Sequence, residues 1–220
     1  IGDNRNGKIS NSLPKEILHD FQAIKLSGGD GDRLLALSAV CGQYHTLFLV
    51  SHAGENSRKL LAYSHCYMKT ESPVILNIGE VNPVSLFGGE SGSAAIDTEG
   101  GIIYINRNHH MDPERRIERV FLPEGEKASS VACLDDFVIS LSLSGRVFES
   151  KTGSELSFKE VLELKNKKIV FISGFSYHCF AVCENGQVFV RWKNGIGDFG
   201  QHGLGTGKSS TREFKVISSL

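Results

Sequence analysis

The chain has 220 residues, 40% of them hydrophobic and 22% charged, with a net charge of −1 at neutral pH. That length and apolar fraction suffice for one or two domains with a substantial core. The near-zero charge gives no electrostatic footprint for direct nucleic-acid binding, and no run approaches the roughly 20 apolar residues that span a bilayer. The N-terminus lacks the basic, apolar and small-residue regions of a secretory signal. Ile1 is not an initiator methionine, as expected of a fragment or a processed product.

From Leu34 onward, short β-branched and aromatic runs alternate with Gly, Asn, Asp and Ser clusters, the pattern of strands joined by turns. Four runs follow one another in a fixed order, and the order repeats. The first copy reads Leu34–Val40, Thr46–Val50, Lys59–Tyr63 and Ser72–Leu76. The second reads Pro83–Phe87, Ser93–Asp97, Ile102–Asn106 and, after a long loop, Ile117–Phe121. The third reads Ser129–Cys133, Phe137–Leu141, Arg146–Ser150 and Phe158–Leu162, and the fourth Lys168–Ile172, Cys179–Val182, Gln187–Trp192 and Phe214–Ser218.

Aligned on their second strands, the copies are spaced by about 40 to 50 residues, the length of a four-stranded propeller blade. Helix signal is weak throughout. The predicted fold class is therefore all-β: about four β-propeller blades of four-stranded antiparallel sheets in a single partial-propeller domain over 1–220. Repeats are expected at 34–80, 81–126, 127–167 and 168–220, after an incomplete blade loop at 1–33. One such sheet buries too little surface alone, whereas radial stacking covers both faces and protects the edges.

Particular residues add a family resemblance. Gly42-Gln43-Tyr44-His45-Thr46-Leu47 is a glycine, two residues, then histidine and threonine opening an apolar strand, and Gly174-Phe175-Ser176-Tyr177-His178 reads as the same turn with one extra residue. Asn185-Gly186-Gln187-Val188-Phe189 is a tight turn into a third strand. Trp192-Lys193-Asn194 followed by Gly200-Gln201-His202-Gly203-Leu204-Gly205 forms a loop that Gly2-Asp3-Asn4-Arg5-Asn6-Gly7-Lys8-Ile9 repeats without its preceding strand. Together these resemble the regulator-of-chromosome-condensation repeat family of β-propellers, strongly over 168–220 and faintly in the middle copies. That family's propeller closes with seven blades, so the resemblance implies self-association, a second chain completing the ring, or membership of a longer propeller.

Motifs for covalent or cofactor chemistry read as loops. Gly195-Ile196-Gly197-Asp198-Phe199-Gly200 has dinucleotide-loop spacing, but the glycine-rich stretch after it cannot open the helix such a loop requires. Gly203-Leu204-Gly205-Thr206-Gly207-Lys208-Ser209 is one residue short of a phosphate loop and leads into a strand. His109, His110 and Asp112 lack a convincingly spaced further ligand, and Lys165, Lys167 and Lys168 read as a solvated turn. The five cysteines, Cys41, Cys66, Cys133, Cys179 and Cys183, form no two-residue-spaced pair. Four of them lie within or beside apolar strand-like runs, as suits buried thiols in a reducing compartment, cytoplasm or nucleus. No cofactor, metal or catalytic residue is expected.

The candidate site is the set of turns between first and second strands, which radial symmetry brings to one face. It offers Gln43, His45, Glu90, Asp135, Asp136, Tyr177 and His178 as partner-binding residues, a mixture of acid, aromatic and amide suited to a protein surface. His45 and His178 also have a structural reading, in which each opens a buried strand and hydrogen-bonds a neighbouring blade. Two functions follow. One is a non-catalytic protein–protein interaction module. The alternative, implied by the family's nucleotide-exchange members, is a guanine-nucleotide exchange factor for a Ran-like small GTPase.

Overall fold

The computed structural model describes residues 2–3, 17–18, 34–42, 45–52, 54–64, 74–90, 92–106, 117–153, 155–192, 204 and 211–217. Two short strands, β1 (Gly2–Asp3) and β2 (Ile17–Leu18), pair antiparallel. Four four-stranded antiparallel sheets follow, each built from consecutive strands. Blade 1 comprises β3 (Leu34–Cys41), β4 (His45–His52), β5 (Arg58–Ser64) and β6 (Val74–Ile75). Blade 2 comprises β7 (Pro83–Gly88), β8 (Gly92–Asp97), β9 (Ile102–Asn106) and β10 (Ile117–Val120). Blade 3 comprises β11 (Ala128–Cys133), β12 (Phe137–Ser142), β13 (Val147–Lys151) and β14 (Lys159–Glu160), and blade 4 β15 (Ile169–Phe175), β16 (His178–Cys183), β17 (Val188–Trp192) and β18 (Thr211–Val216). The described residues contain no α-helix, only 3₁₀ turns at Pro123–Gly125 and Leu162–Leu164.

The core lies between the sheets. Leu47, Leu49 and Leu60 of blade 1 pack on Leu86, Ala95 and Ile103 of blade 2. Ala94, Ile96 and Tyr104 of blade 2 pack on Val131, Cys133 and Phe148 of blade 3. Ile139, Leu141 and Val147 of blade 3 pack on Ile172, Ala181 and Phe189 of blade 4. Each fully buried large apolar side chain contributes about 1.5–3 kcal/mol, so most of the stabilisation resides in these three layers, beside a smaller cluster of Leu34, Val50 and Leu61 within blade 1. Every residue of β8 and β12 is buried, as expected of strands covered on both faces. β16 instead alternates, with Cys179, Ala181 and Cys183 buried against blade 3 and His178, Phe180 and Val182 half-exposed.

Local chemistry sets the hairpins. The second and third strands of blades 2, 3 and 4 are joined by one turn type, in which Gly100, Gly145 or Gly186 donates its N–H to the carbonyl of Asp97, Ser142 or Cys183. These glycines have φ of +85°, +90° and +83°, a region that costs a glycine nothing. Two of the turns also join blades. Ala128 donates to the Gly100 carbonyl and Ile169 to the Gly145 carbonyl, both at 3.0 Å.

The fourth strands of blades 1 to 3 are shorter than the sequence suggests, whereas that of blade 4, expected at Phe214–Ser218, begins earlier, at Thr211. Phe158–Leu162 was expected, but only Lys159–Glu160 pairs before the 3₁₀ turn, and Ser72–Leu76 reduces to Val74–Ile75 among the described residues. These are the outer edges of their sheets, where short strands leave little open backbone for unwanted pairing.

First strands of successive blades lie side by side, and their ends approach through glycine. A Cβ on Gly88 would stand 2.6 Å from the Cys41 carbonyl oxygen, and one on Gly89 would stand 2.0 Å from that of Cys133. Gly89→Ala is therefore expected to destabilise the chain by about 1–3 kcal/mol through overpacking. Gly186→Ala, which meets no atom but must hold a positive φ, is expected to cost about 1 kcal/mol. Urea denaturation of both variants checks the order, and equal midpoints would contradict it.

Candidate functional site

The turns between first and second strands share one geometry. Gly42 donates to the His45 carbonyl at 2.8 Å and Leu134 to the Phe137 carbonyl at 2.9 Å, while Phe175 pairs with His178 in register. Each closes a loop of two residues. The turn at Gly174–His178 therefore has no extra residue: Phe175 takes the place of Gly42, and Gly174 lies one step back in the strand. Ser176, at the first loop position, adopts φ +56°.

Two loops are tied together. The Asp135 N–H donates to the Ser176 carbonyl at 2.8 Å, across the gap between blades 3 and 4. Thr152 holds the same acidic turn from behind, its N–H on the Asp136 carbonyl at 2.9 Å and its hydroxyl on the Asp135 carbonyl at 3.0 Å. The Asp135 side chain accepts a hydrogen bond from Tyr177. That bond and the Asp135 charge, followed by desolvation and then the charges of Glu90 and Asp136, hold the Tyr177 phenol above its ordinary pKa of 10.0. Glu90, Asp135, Asp136 and Tyr177 are all half-buried. One Glu90 oxygen, Oε2, is shielded from solvent with no hydrogen-bond partner among the described residues. Asp135 is thus bonded to the phenol, and the charges of Glu90 and Asp136 also act on it, which makes this a surface that favours cationic and hydrogen-bond-donating groups.

The other candidates lie elsewhere. His45 is buried, and its Nε2 meets Ser93 Oγ of blade 2 at 2.5 Å. A serine beside a histidine is the nucleophile–base arrangement in outline, but Ser93 is wholly buried, so no substrate reaches it. The pair joins two blades. Its ring occupies the space above Gly42, where a Cβ would stand 2.0 Å from the imidazole Cε1, which accounts for the glycine three residues before the histidine. His178 sits on the face of blade 4 directed away from blade 3, edge-on to Phe180 at 6.1 Å. Gln43 lies outside the described residues, as do His109, His110 and Asp112, residues 107–116, residues 193–203 and residues 205–210.

Sequence reasoning did not single out Ser176, Thr152 or Arg191. The Arg191 side chain is buried beneath Phe137, with its guanidinium 4.2 Å from the ring centre. A charged residue inside the apolar run Val188–Trp192 was the available signal. On the opposite side of the blades, charges are joined in ion pairs. Arg146 reaches Glu124 at 2.7 Å and Glu160 at 2.9 Å, and Arg119 joins Asp97 and Glu99. Burial pushes the Cys133 and Cys179 thiols up to about 12, so both are protonated and inert at neutral pH. Among the described residues no group of three His, Cys, Asp or Glu side chains is arranged to hold a metal ion, and no helix is long and apolar enough to cross a membrane.

No family model and no curated protein matches this sequence. Solved structures do. Human WBSCR16 superposes with a TM-score of 0.73 at 14% identity, over 99% of this chain and 60% of its own. Prp20p from Saccharomyces cerevisiae, described with its binding properties to Gsp1p and histones, gives 0.71 at 15% identity, over 96% of this chain and 55% of its own. Yeast RCC1 (Prp20) bound to Kap60 gives 0.68 at 15% identity, over 96% and 53%. The chain has the fold of a partial RCC1-type propeller. It spans little more than half the length of these structures.

The Tyr177 titration is a direct check on the site. A folded-state pKa raised above the unfolded value stabilises the fold below pH 10, and that contribution is lost as pH rises through the folded pKa. Asp135→Asn is expected to bring the Tyr177 pKa down toward 10, read from tyrosine Cζ chemical shifts against pH. An unchanged titration would show that the two side chains are not joined.

Proposed function

We propose that this propeller segment is a non-catalytic protein-binding module, and that its partner docks on the turns carrying Glu90, Asp135, Asp136 and Tyr177. The observation that carries the reading is the joining of the turns of blades 3 and 4, by the Asp135 N–H on the Ser176 carbonyl at 2.8 Å and by the Tyr177–Asp135 hydrogen bond, with the charges of Glu90 and Asp136 acting on the same phenol. Loops on a rigid scaffold are where binding residues collect. An aromatic ring beside desolvated acids has the composition of an interface centre. His45 belongs to the scaffold in this account, and Gln43 and His178 are peripheral contacts.

Guanine-nucleotide exchange is the second reading. It draws on Prp20p, which shares the fold and whose binding to Gsp1p is described. An exchange factor breaks no covalent bond; it binds the nucleotide-free state of its GTPase more tightly than the loaded state. The acidic face would supply part of that differential affinity. A location in cytoplasm or nucleus suits either reading.

The apolar faces at the two ends of the blade series support a further part of the proposal, association with another blade or another copy. Phe171 and Phe175 of blade 4 are 54% and 46% exposed, and Ala39 and Cys41, on the side of blade 1 turned from blade 2, are exposed.

The test is a binding panel of nucleotide-free and loaded Ran-like GTPases and histones, with the chain bearing Asp135→Lys and Asp136→Lys. Reversing both charges is expected to weaken a turn-face partner by about 1 kcal/mol or more while leaving the unfolding midpoint in place. Catalytic release of labelled GDP, lost in the same variant, would select the exchange reading. Unchanged affinity in that variant, with binding abolished by truncating Arg107–Arg116, would overturn the face assignment.

A further inference from the structure

Arg191 is placed where charge is costly. It lies on β17 opposite Cys179, on the side of the sheet that packs against blade 3, and only 6% of the residue is exposed. Its guanidinium lies 4.2 Å from the ring centre of Phe137 in blade 3 and 5.2 Å from that of Phe214 in blade 4. Nη1 pairs with Glu149 Oε2 of blade 3 at 2.5 Å. Removing a guanidinium from water costs several kcal/mol, which one ion pair offsets only in good geometry, and an apolar side chain of similar volume often serves stability as well. What the apolar substitute lacks is direction: a planar cation between two rings with a carboxylate at its edge fixes all three partners at once.

Phe137 is the partner that matters here. It is the first residue of β12, directly after Asp135 and Asp136, and its carbonyl closes their turn by accepting from Leu134. It also stands at the repeat position that His45 holds in blade 1. There the histidine reaches the next blade through Ser93; here the next blade reaches back through Arg191. The same turn meets blade 4 a second time, where the Asp135 N–H donates to the Ser176 carbonyl. Blade 4 therefore grips the acidic turn at two points, one behind it and one beside it.

We propose that Arg191 is a positioning residue of the turn face, holding Asp135 and Asp136 in place through Phe137 so that Asp135 meets Tyr177 across the gap between blades. This rests on the reading of that face as the binding surface. Arg191 touches no partner itself. It acts by keeping two acids from blade 3 and a phenol from blade 4 in one fixed constellation, which lowers the ordering cost of docking.

The experiment follows Tyr177 in the intact chain by tyrosine Cζ shifts, assigned with Tyr177→Phe, in Arg191→Met, Arg191→Lys and Leu164→Ala. Leu164 is a buried residue of the same layer and is remote from the turn in sequence. Its truncation is the control for loss of stability alone. Arg191→Met is expected to lower the Tyr177 pKa toward its ordinary value, in the direction of Asp135→Asn although Asp135 is intact. Arg191→Lys, which keeps the charge and loses the planar stack, is expected to move it the same way and provides the measurement if the methionine variant does not fold. Leu164→Ala is expected to lower the unfolding midpoint and leave the titration in place. A native Tyr177 titration in the Arg191 variants, or an equal shift in Leu164→Ala, would overturn the proposal. If the Arg191 variants shift as expected while reversal of Asp135 and Asp136 leaves every partner bound, the positioning stands and the binding-face reading fails.

Discussion

A four-stranded antiparallel sheet has two faces to cover, and here each sheet covers its neighbour. The layers between blades contain Leu47 and Ile103, Tyr104 and Phe148, and Ile139 and Phe189. Because most burial depends on the next sheet, stability approximates a sum over blades and the interfaces between them. The complete burial of β8 and β12, beside the half-open alternation of β16, follows from position in the series. So does the exposure of Ala39 and Cys41 on β3, whose counterparts Val131 and Cys133 on β11 are buried by the preceding blade.

That constraint also builds the site. Packing sheets radially with their first strands adjacent carries the turn after each first strand to a common side, so residues far apart in sequence meet. Glu90, Asp135 and Tyr177 come from three blades, and the turns of blades 3 and 4 each close two residues. Each junction is fixed by different chemistry. A histidine–serine hydrogen bond joins blades 1 and 2, glycines bring three inner strands together, and a buried arginine joins blades 3 and 4. The polar junctions are directional where the apolar layers are not. Directionality is what a binding surface assembled from several blades requires.

Much of the fold was legible because its signals are local. Strand alternation, turn glycines and the recurring order of four runs mark the sheets, and Gly42 followed three residues later by His45 marks a turn that the structure explains by ring packing. Register was harder to read. Gly174 looks like the counterpart of Gly42, yet pairing places it one residue earlier, with Phe175 in the position of Gly42. The outer strands of blades 1 to 3 were overestimated because hydrophobic runs such as Phe158–Leu162 do not show where an edge stops pairing. The convergence of the turns could be anticipated from symmetry, but the clamp from Arg191 to Phe137 could not, because it is a tertiary contact between β17 and β12. Its one trace in the sequence is an arginine in an apolar strand.

The central claim, that stability resides between blades, is tested most directly by native-state hydrogen exchange resolved along the chain. The account predicts the slowest exchange in β8 and β12, which are buried on both faces, with β16 less protected despite equally complete hydrogen bonding to β15 and β17. Equal protection across the four second strands, or slowest exchange in β16, would show that each sheet is stabilised from within and would contradict the account.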